Sequence, residues 1–166
     1  MTDFVKYPDP RLSARAQSRP VDGSLRETGV LLFLAAGQVQ AFGLAAVHVG
    51  RVDPVVVIDT ADDRAKREYL VMFNPDVLEV ADDTAMAAEG SVSLPGIEAP
   101  VERPVWADIA FDDQDGIRQT RRFEGFPARV ALHEIDQMNG VFFLMRISRL
   151  KRDTALRKFG KLNRAG

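Results

Sequence analysis

The sequence contains no cysteine among its 166 residues. This absence excludes disulfide bonds, thiolate catalysis and any metal site that uses a sulfur ligand. Histidine is almost as scarce, because only His48 and His133 are present. Any imidazole chemistry therefore has to use one or both of these two residues.

Long hydrophobic runs are also missing. The longest apolar run, from Val30 to Ala36, is far shorter than the roughly 20 residues that a membrane-spanning helix needs. The first four residues, MTDF, lack the basic-then-apolar layout of a signal peptide, so we expect a cytoplasmic protein with no membrane partner. With 46% apolar residues, 28% charged residues and a formal net charge of −2, the chain is typical of one globular domain.

Charge is distributed unevenly along the chain. From Arg146 onward there are eight basic residues and one acidic residue, a net charge of +7, and the first 145 residues carry −9. An acidic body with a basic tail is typical of a protein that binds an anionic partner such as RNA. The alternative is that the tail is simply a solvated helix face, and we predict such a helix at about 148–163.

The order of the predicted elements favours an α+β fold, because the strands come as a group and do not alternate with helices. The first predicted helix begins at a capping box formed by Ser24 and Glu27, and its wide apolar stripe predicts that it is largely buried. We predict helices at 25–42, 127–138 and about 148–163, and strands at 55–58, 69–73, 77–80, 105–111 and 117–123, the last two joined by a turn at 112–116.

The segment LHEIDQMNG at 132–140 lies on the second predicted helix. In the motif H-E-x-x-H, two histidines one helical turn apart bind the same metal ion, and the glutamate acts as general base on the bound water. His133 and Glu134 match the first two positions, but Gln137 stands where the second histidine would be. Taken alone, a His-Glu pair on a helix is more often structural than catalytic.

Two other segments complete a family pattern. The sequence EGSVSLPG at 89–96 resembles the E-G-C-L-S-x-P motif of peptide deformylases, and GLAAVHVG at 43–50 resembles their G-x-G-L-A-A-x-Q-x-G motif. The helix segment resembles their third motif, H-E-x-D-H-x-x-G. The resemblance covers nearly the whole chain, which implies a single deformylase-like domain over 1–166. It also implies an α+β fold with antiparallel sheets packed around a central HExxQ helix.

The resemblance implies a specific chemistry. Peptide deformylases remove the formyl group from N-terminal formyl-methionine with a divalent metal, often iron(II), held by one cysteine and two histidines. In this sequence the metal positions are Ser91, His133 and Gln137. By the same resemblance, the catalytic positions are Glu134 as general acid/base, His48 in place of the family's glutamine, the backbone N–H of Val92, and Gly43; the substrate-binding positions are Phe42, Leu44, Glu89 and Gly90.

Two of the three implied ligands differ from the family pattern. A neutral hydroxyl at Ser91 and an amide at Gln137 are poor ligands for a transition metal beside a thiolate and an imidazole. Without metal, the pKa of the attacking water stays near 15.7, where a bound metal lowers it to about 7. We therefore expect no resident cofactor and an impaired or inactive deformylase.

Three alternatives remain open at this stage. His48 and His133, completed by Glu134 or Ser91, would form a rebuilt site for iron, zinc or nickel that supports an active hydrolase. Ser91 as nucleophile with His133 as base would give serine chemistry. A pocket that has lost its metal would bind peptide N-termini, and the basic tail would bind the ribosome; no DNA partner is expected.

Each residue also has a purely structural interpretation. Ser91 would cap a turn, and Gln137 would hydrogen-bond Ser91 or His133 in a satisfied polar cluster. Phe42 would be a core residue, or else would enter the methionine pocket and exclude formyl-methionine. The structure decides where each of these side chains lies.

Overall fold

The computed structural model describes residues 2–165. Within these residues the chain forms three α-helices and seven β-strands, with short 3₁₀ turns at Pro10–Ser13, Ala46–Val49 and Phe143–Arg146. The helices are α1 (Gly23–Val39), α2 (Gly125–Met138) and α3 (Arg149–Ala165). The strands are β1 (Gly43–Ala45), β2 (Val55–Asp59), β3 (Tyr69–Val80), β4 (Thr84–Gly90), β5 (Glu98–Pro104), β6 (Trp106–Asp112) and β7 (Arg118–Glu124).

Five strands form one antiparallel sheet in the order β1-β2-β3-β6-β7, and β4 pairs only with β5 in a separate hairpin. Strand β2 has helices on both faces and is buried throughout. Val56 and Ile58 point into the core that contains α2, whereas Val55 and Val57 point into the core under α1. This alternation explains why β2 is a continuous apolar run rather than an alternating one.

Helix α2 confirms the predicted central helix. Pro127 lies in its first turn, where its missing N–H costs nothing, and Asn139 is the C-cap. Gly140 then turns the chain with φ +81°, and a Cβ there would lie 2.5 Å from the carbonyl oxygen of Ser13, so only glycine fits. Ten of the helix's 14 residues are buried, and α2 contacts both sheets.

The strand predictions are confirmed in part. The hairpin of β6 and β7 matches the predicted pair and turn. The separate strand predicted at 77–80 is wrong, because β3 runs on to Val80 through a bulge after Asn74, whose φ is +49°. Strand β4 was not predicted, since its sequence TAMAAEG is poor in the β-branched and aromatic residues that signal a strand.

Helix α1 departs from the prediction at both ends and on one face. Asp22, not Ser24, is the N-cap, and its side chain accepts a hydrogen bond from the Leu25 N–H. The helix ends at Val39, where Gln40 takes the left-handed conformation. The expectation of a largely buried helix is wrong: Leu25, Leu32, Ala35 and Ala36 are buried, but Val30, Leu31, Phe33, Leu34 and Val39 are exposed.

Helix α3 confirms the predicted basic C-terminal helix and packs through Ala155 and Phe159. Its basic side chains lie mostly at the surface. Within residues 2–165, no helix is long and apolar enough to cross a membrane.

Candidate active site

The candidate active site lies where β1, α2 and the end of β4 meet. Strand β1 runs so close to α2 that a Cβ on Gly43 would lie 2.7 Å from Val130 Cγ1 and 3.0 Å from Glu134 Cγ. Glycine at 43 is therefore required by packing. The chain continues from β1 into the 3₁₀ turn Ala46–Val49, which carries His48, and β4 delivers Glu89 from the other side.

Glu89 is the most completely paired group of the site. Its buried carboxylate accepts hydrogen bonds from Arg103 Nε and Nη2 at 2.9 Å, from Arg129 Nη1 at 2.7 Å and from His133 Nδ1 at 2.7 Å. Burial alone would raise the pKa of Glu89, but the hydrogen bonds from Arg103 and His133 outweigh burial and hold that pKa far below its ordinary value. The carboxylate is thus fixed in its charged form.

The two arginines extend this network. Arg103 Nη1 donates to Asp136 Oδ2 at 2.7 Å, and Asp136 also accepts from Arg146. Arg129 donates to the carbonyl oxygens of Ala85 on β4 and Val101 on β5. The network therefore ties the β4–β5 hairpin to α2. Neither Arg103 nor Arg129 was predicted as a site residue, although Arg129 lies within the apolar stretch PARVAL, where an arginine signals a buried partner.

His133 is buried and is oriented by its bond to Glu89. Burial would lower the pKa of His133, but the charges of Glu134 and Glu89 and the hydrogen bond to Glu89 raise it overall. Its ring lies 5.6 Å from that of Phe143. A carboxylate on one ring nitrogen fixes the orientation of the imidazole, as in second-shell partners of metal-binding histidines.

His48 and Glu134 form a buried pair with incomplete hydrogen bonding. His48 Nδ1 accepts a 3.0 Å hydrogen bond from the Ala45 N–H, which places the ring proton of the neutral imidazole on Nε2. Glu134 Oε1 lies 3.8 Å from His48 Nδ1. Among residues 2–165, neither His48 Nε2 nor Glu134 Oε1 has a hydrogen-bond partner. Burial raises the pKa of Glu134 to about 7 and lowers the pKa of His48 to about 3.

The other two implied metal positions are engaged elsewhere. Ser91 Oγ accepts a 3.1 Å hydrogen bond from the Ser93 N–H, as in the turn-cap interpretation. Gln137 Nε2 donates to the carbonyl oxygen of Leu12 at 2.7 Å, and no hydrogen bond within residues 2–165 joins it to Ser91 or His133. No hydrogen bond in this part of the chain joins Ser91 to His133 either.

The implied substrate positions lie in two places, with Phe42 and Leu44 at the start of β1 and Glu89 and Gly90 at the end of β4. Phe42 is 38% exposed, so the core interpretation does not hold; its ring packs edge-on against Phe126 at 4.8 Å, under the guanidinium of Arg67. Leu44 is fully buried in the core under α1. Gly90 is exposed at the end of β4. Val92, whose backbone N–H follows the cysteine position, packs partly buried against the α1 core.

The described residues show no ready-made metal cage. Within residues 2–165, no group of three or more histidine, aspartate or glutamate side chains is arranged to hold a metal ion. His48, His133 and Glu134 are neighbours, and the hydrogen bonds on Nδ1 of each histidine leave Nε2 as the ring nitrogen that can face a ligand. What the arrangement does provide is a charged, rigid Glu89–His133 unit beside a His48–Glu134 pair with free hydrogen-bonding capacity.

Known proteins match this chain over nearly its whole length. The family model for polypeptide deformylase matches residues 1–153. A protein of Rhizobium meliloti (strain 1021) named peptide deformylase-like is 36% identical, with 98% of this chain and 93% of that protein covered. A peptide deformylase of Agrobacterium fabrum is 37% identical over 98% and 96%.

Solved structures agree with these relatives. The crystal structure of peptide deformylase from Ehrlichia chaffeensis superposes with a TM-score of 0.91 at 28% identity, covering 99% of this chain and 98% of that one. A peptide deformylase from Plasmodium falciparum gives a TM-score of 0.86 at 28% identity, covering 98% and 96%. The chain therefore belongs to the polypeptide deformylase family, and the resemblance in its three motifs and the expected α+β fold are both confirmed.

Proposed function

We propose that this chain is a deformylase-like protein in which removal of the formyl group from N-terminal formyl-methionine is impaired or lost. The observation that carries the proposal is the engagement of the two altered ligand positions. Ser91 Oγ accepts a hydrogen bond from the Ser93 N–H, and the Gln137 amide donates one to the carbonyl oxygen of Leu12. Both side chains therefore stabilise the structure of the protein itself through these hydrogen bonds.

The donor set does not fit a catalytic divalent metal. A thiolate brings negative charge and soft character to such a site, whereas the Ser91 hydroxyl is neutral and binds soft metals weakly. The Gln137 carbonyl is likewise a weaker donor than imidazole. His133 is thus the one implied ligand position that still carries a residue of the family's ligand type.

The unpaired atoms of the site support a second role, the binding of a peptide N-terminus. His48 Nε2–H is a donor without an acceptor, and Glu134 Oε1 is an acceptor without a donor, among the described residues. A buried polar atom without a partner costs about 1–3 kcal/mol, and a ligand that supplies the partner recovers that cost. An amide group offers both a carbonyl oxygen and an N–H, so we propose peptide N-termini as ligands of this site.

Metal content and turnover test the main proposal. Protein purified without chelators or added metal is analysed for iron, zinc and nickel, and then assayed on a formyl-methionyl peptide. We expect substoichiometric metal and little or no release of formate. A full complement of metal with robust turnover would overturn the proposal; a metal content that falls equally in His48→Ala and His133→Ala would then identify the rebuilt site.

A restoration experiment sharpens this test. The double variant Ser91→Cys/Gln137→His rebuilds the family's ligand set beside the retained His133 and Glu134. We expect it to bind one metal ion and to gain deformylase activity of at least tenfold over the unmodified chain. The triple variant that adds Glu134→Gln is the matched control, since it should keep the metal and lose turnover.

The ribosome remains a proposed partner through α3, in a protein that we propose to be cytoplasmic. Lys151, Arg157 and Lys161 are exposed on this helix, and such residues neutralise RNA phosphates in a salt-dependent way. We expect co-sedimentation with ribosomes at low salt that is lost when these three residues are changed to glutamate. No co-sedimentation of the unmodified chain at low salt would remove this partner.

A further inference from the structure

The outer face of α1 is an apolar surface that the rest of the described chain leaves uncovered. Val30 is 58% exposed, Phe33 48% and Leu34 55%. The opposite face of the same helix packs on β2 and β3. Exposed apolar patches of this kind, with polar residues around them, mark interaction surfaces more often than scattered single residues do.

The residues along this face form a stripe centred on Val30, with charged side chains on its N-terminal side and apolar side chains on its C-terminal side. Positions three, four and seven residues apart lie on one helix face, which places seven residues in line around Val30. On each side of Val30 along the helix, the stripe contains two long side chains followed by a glycine. The stripe consists of Gly23, Arg26, Glu27, Val30, Phe33, Leu34 and Gly37.

This pattern fits a second copy of the same helix lying antiparallel. With Val30 opposite Val30, the large apolar pair Phe33 and Leu34 of one copy meets the aliphatic stems of Glu27 and Arg26 of the other. Gly37 of one copy then meets Gly23 of the other. A Cβ on either glycine would have open space around it, so both ends of the stripe allow close approach of a neighbouring helix.

The charges favour the antiparallel arrangement. A parallel pair would place Arg26 against Arg26 and Glu27 against Glu27. In the antiparallel pair the two Arg26 residues are about 12 Å apart along the axis, at 1.5 Å per residue, which is beyond the screening length of about 8 Å at physiological salt.

Each charge also has a partner within its own subunit that draws it toward the edge of the stripe. Arg26 Nη1 donates to the carbonyl oxygen of Gln114, and Glu27 lies 3.5 Å from Arg51. These partners lie on opposite sides of α1, next to the β6–β7 turn and next to the 3₁₀ turn after β1. The centre of the stripe is therefore left to apolar groups.

We propose that α1 is the interface of a homodimer, in which two copies of this helix pack antiparallel about a two-fold axis at Val30. A membrane surface fits less well, because the stripe pairs one basic residue with one acidic residue and lacks the basic flank that anionic lipids attract. A single 17-residue helix pair lies at the small end of specific interfaces, so we expect a weak dimer that forms at micromolar concentration.

Single-cysteine cross-linking tests the proposal directly, because the chain has no cysteine of its own. Under mild oxidation Val30→Cys should form a disulfide-linked dimer, since the two-fold axis brings its two copies together. Gly37→Cys alone is the matched control and should not cross-link, because its copies lie about 21 Å apart. A mixture of Gly23→Cys and Gly37→Cys should cross-link.

Sedimentation velocity provides the independent measurement. We expect the unmodified chain to shift from monomer to dimer between about 1 and 100 μM, and Leu34→Glu to stay monomeric with an unchanged circular dichroism spectrum. An unmodified chain that is monomeric at 100 μM would overturn the proposal. So would equal cross-linking of Val30→Cys and Gly37→Cys, which indicates random collision.

Discussion

Two buried glutamates of the candidate active site differ in the hydrogen-bond donors that surround them. Glu89 accepts four hydrogen bonds from Arg103, Arg129 and His133, and its pKa is lowered. Glu134, next to His133, keeps Oε1 without a partner among the described residues, and its pKa is raised to about 7. Burial raises the pKa of both carboxyl groups, but only Glu89 is surrounded by donors that outweigh this effect.

The comparison separates structural from functional residues within one site. A carboxylate with every lone pair satisfied belongs to the framework, since it holds α2, β4 and β5 together. A carboxyl group left without a donor is destabilising for the protein as it stands, and such a cost is typical of groups whose partner arrives with a ligand. Substitutions at Glu89, Glu134 and His48 test this distinction.

The largest effect is expected from Glu89→Ala. The substitution leaves Arg103 and Arg129 buried without the carboxylate that they share, and breaking a buried ion pair from one side costs about 3–5 kcal/mol. Urea unfolding should show this loss of stability at pH 7. The matched variant Glu102→Ala, on the same hairpin but exposed, should change stability by less than about 1 kcal/mol. Equal losses in the two variants would contradict a framework role for Glu89.

Glu134→Gln should increase the stability of the folded state, in contrast to Glu89→Ala. Because the folded pKa of Glu134 lies above the unfolded value, the folded state holds its proton more tightly, and stability falls as the pH rises from about 4.5 through 7. Glutamine removes that penalty, so the variant should be more stable at pH 8 by up to about 3 kcal/mol. Unfolding in EDTA at pH 5 and pH 8 checks this, with a gain confined to pH 8; a loss at pH 8 would show that Glu134 is paired.

The smallest effect at neutral pH is expected from His48→Gln. The folded pKa of His48 is lowered, so the unfolded chain takes up a proton first, and stability is lost as the pH falls below about 6.5. Glutamine accepts the Ala45 N–H in the same way but does not titrate. We expect a change within about 1 kcal/mol at pH 7 and a weaker acid sensitivity in unfolding measured at pH 7 and pH 5. An unchanged acid sensitivity would indicate that His48 is not buried in neutral form.

The sequence was sufficient for much of the fold and for part of the site. Three motifs in family order predicted the deformylase fold, and local signals at Pro127 and Asn139 predicted α2. The local turn cap at Ser91 was among the interpretations of the sequence, because its partner Ser93 is only two residues away. The partner of Gln137 could not be predicted, because the Leu12 carbonyl reaches it only through tertiary folding. The Arg103–Glu89–Arg129 network could not be predicted for the same reason, because Arg103 and Arg129 are 14 and 40 residues from Glu89.

Helix α1 shows a different limit. Its wide apolar stripe led to the expectation of a largely buried helix. A helix that lies outermost on a sheet nevertheless has one face with nothing above it. The hydrophobicity of a helix face predicts that the face will be buried. It does not predict whether the residues that bury it belong to the same chain.

The attachment of the β4–β5 hairpin has a consequence for motion. The hairpin shares no strand pairing with the five-stranded sheet, and Arg129 reaches the backbone of both its strands while Glu89 anchors it to α2. Such a segment opens as one cooperative unit with a free energy below that of global unfolding. Its amide protons should exchange with solvent together, at a rate set by this ionic network and by the packing of Ala99 and Val101 in the core.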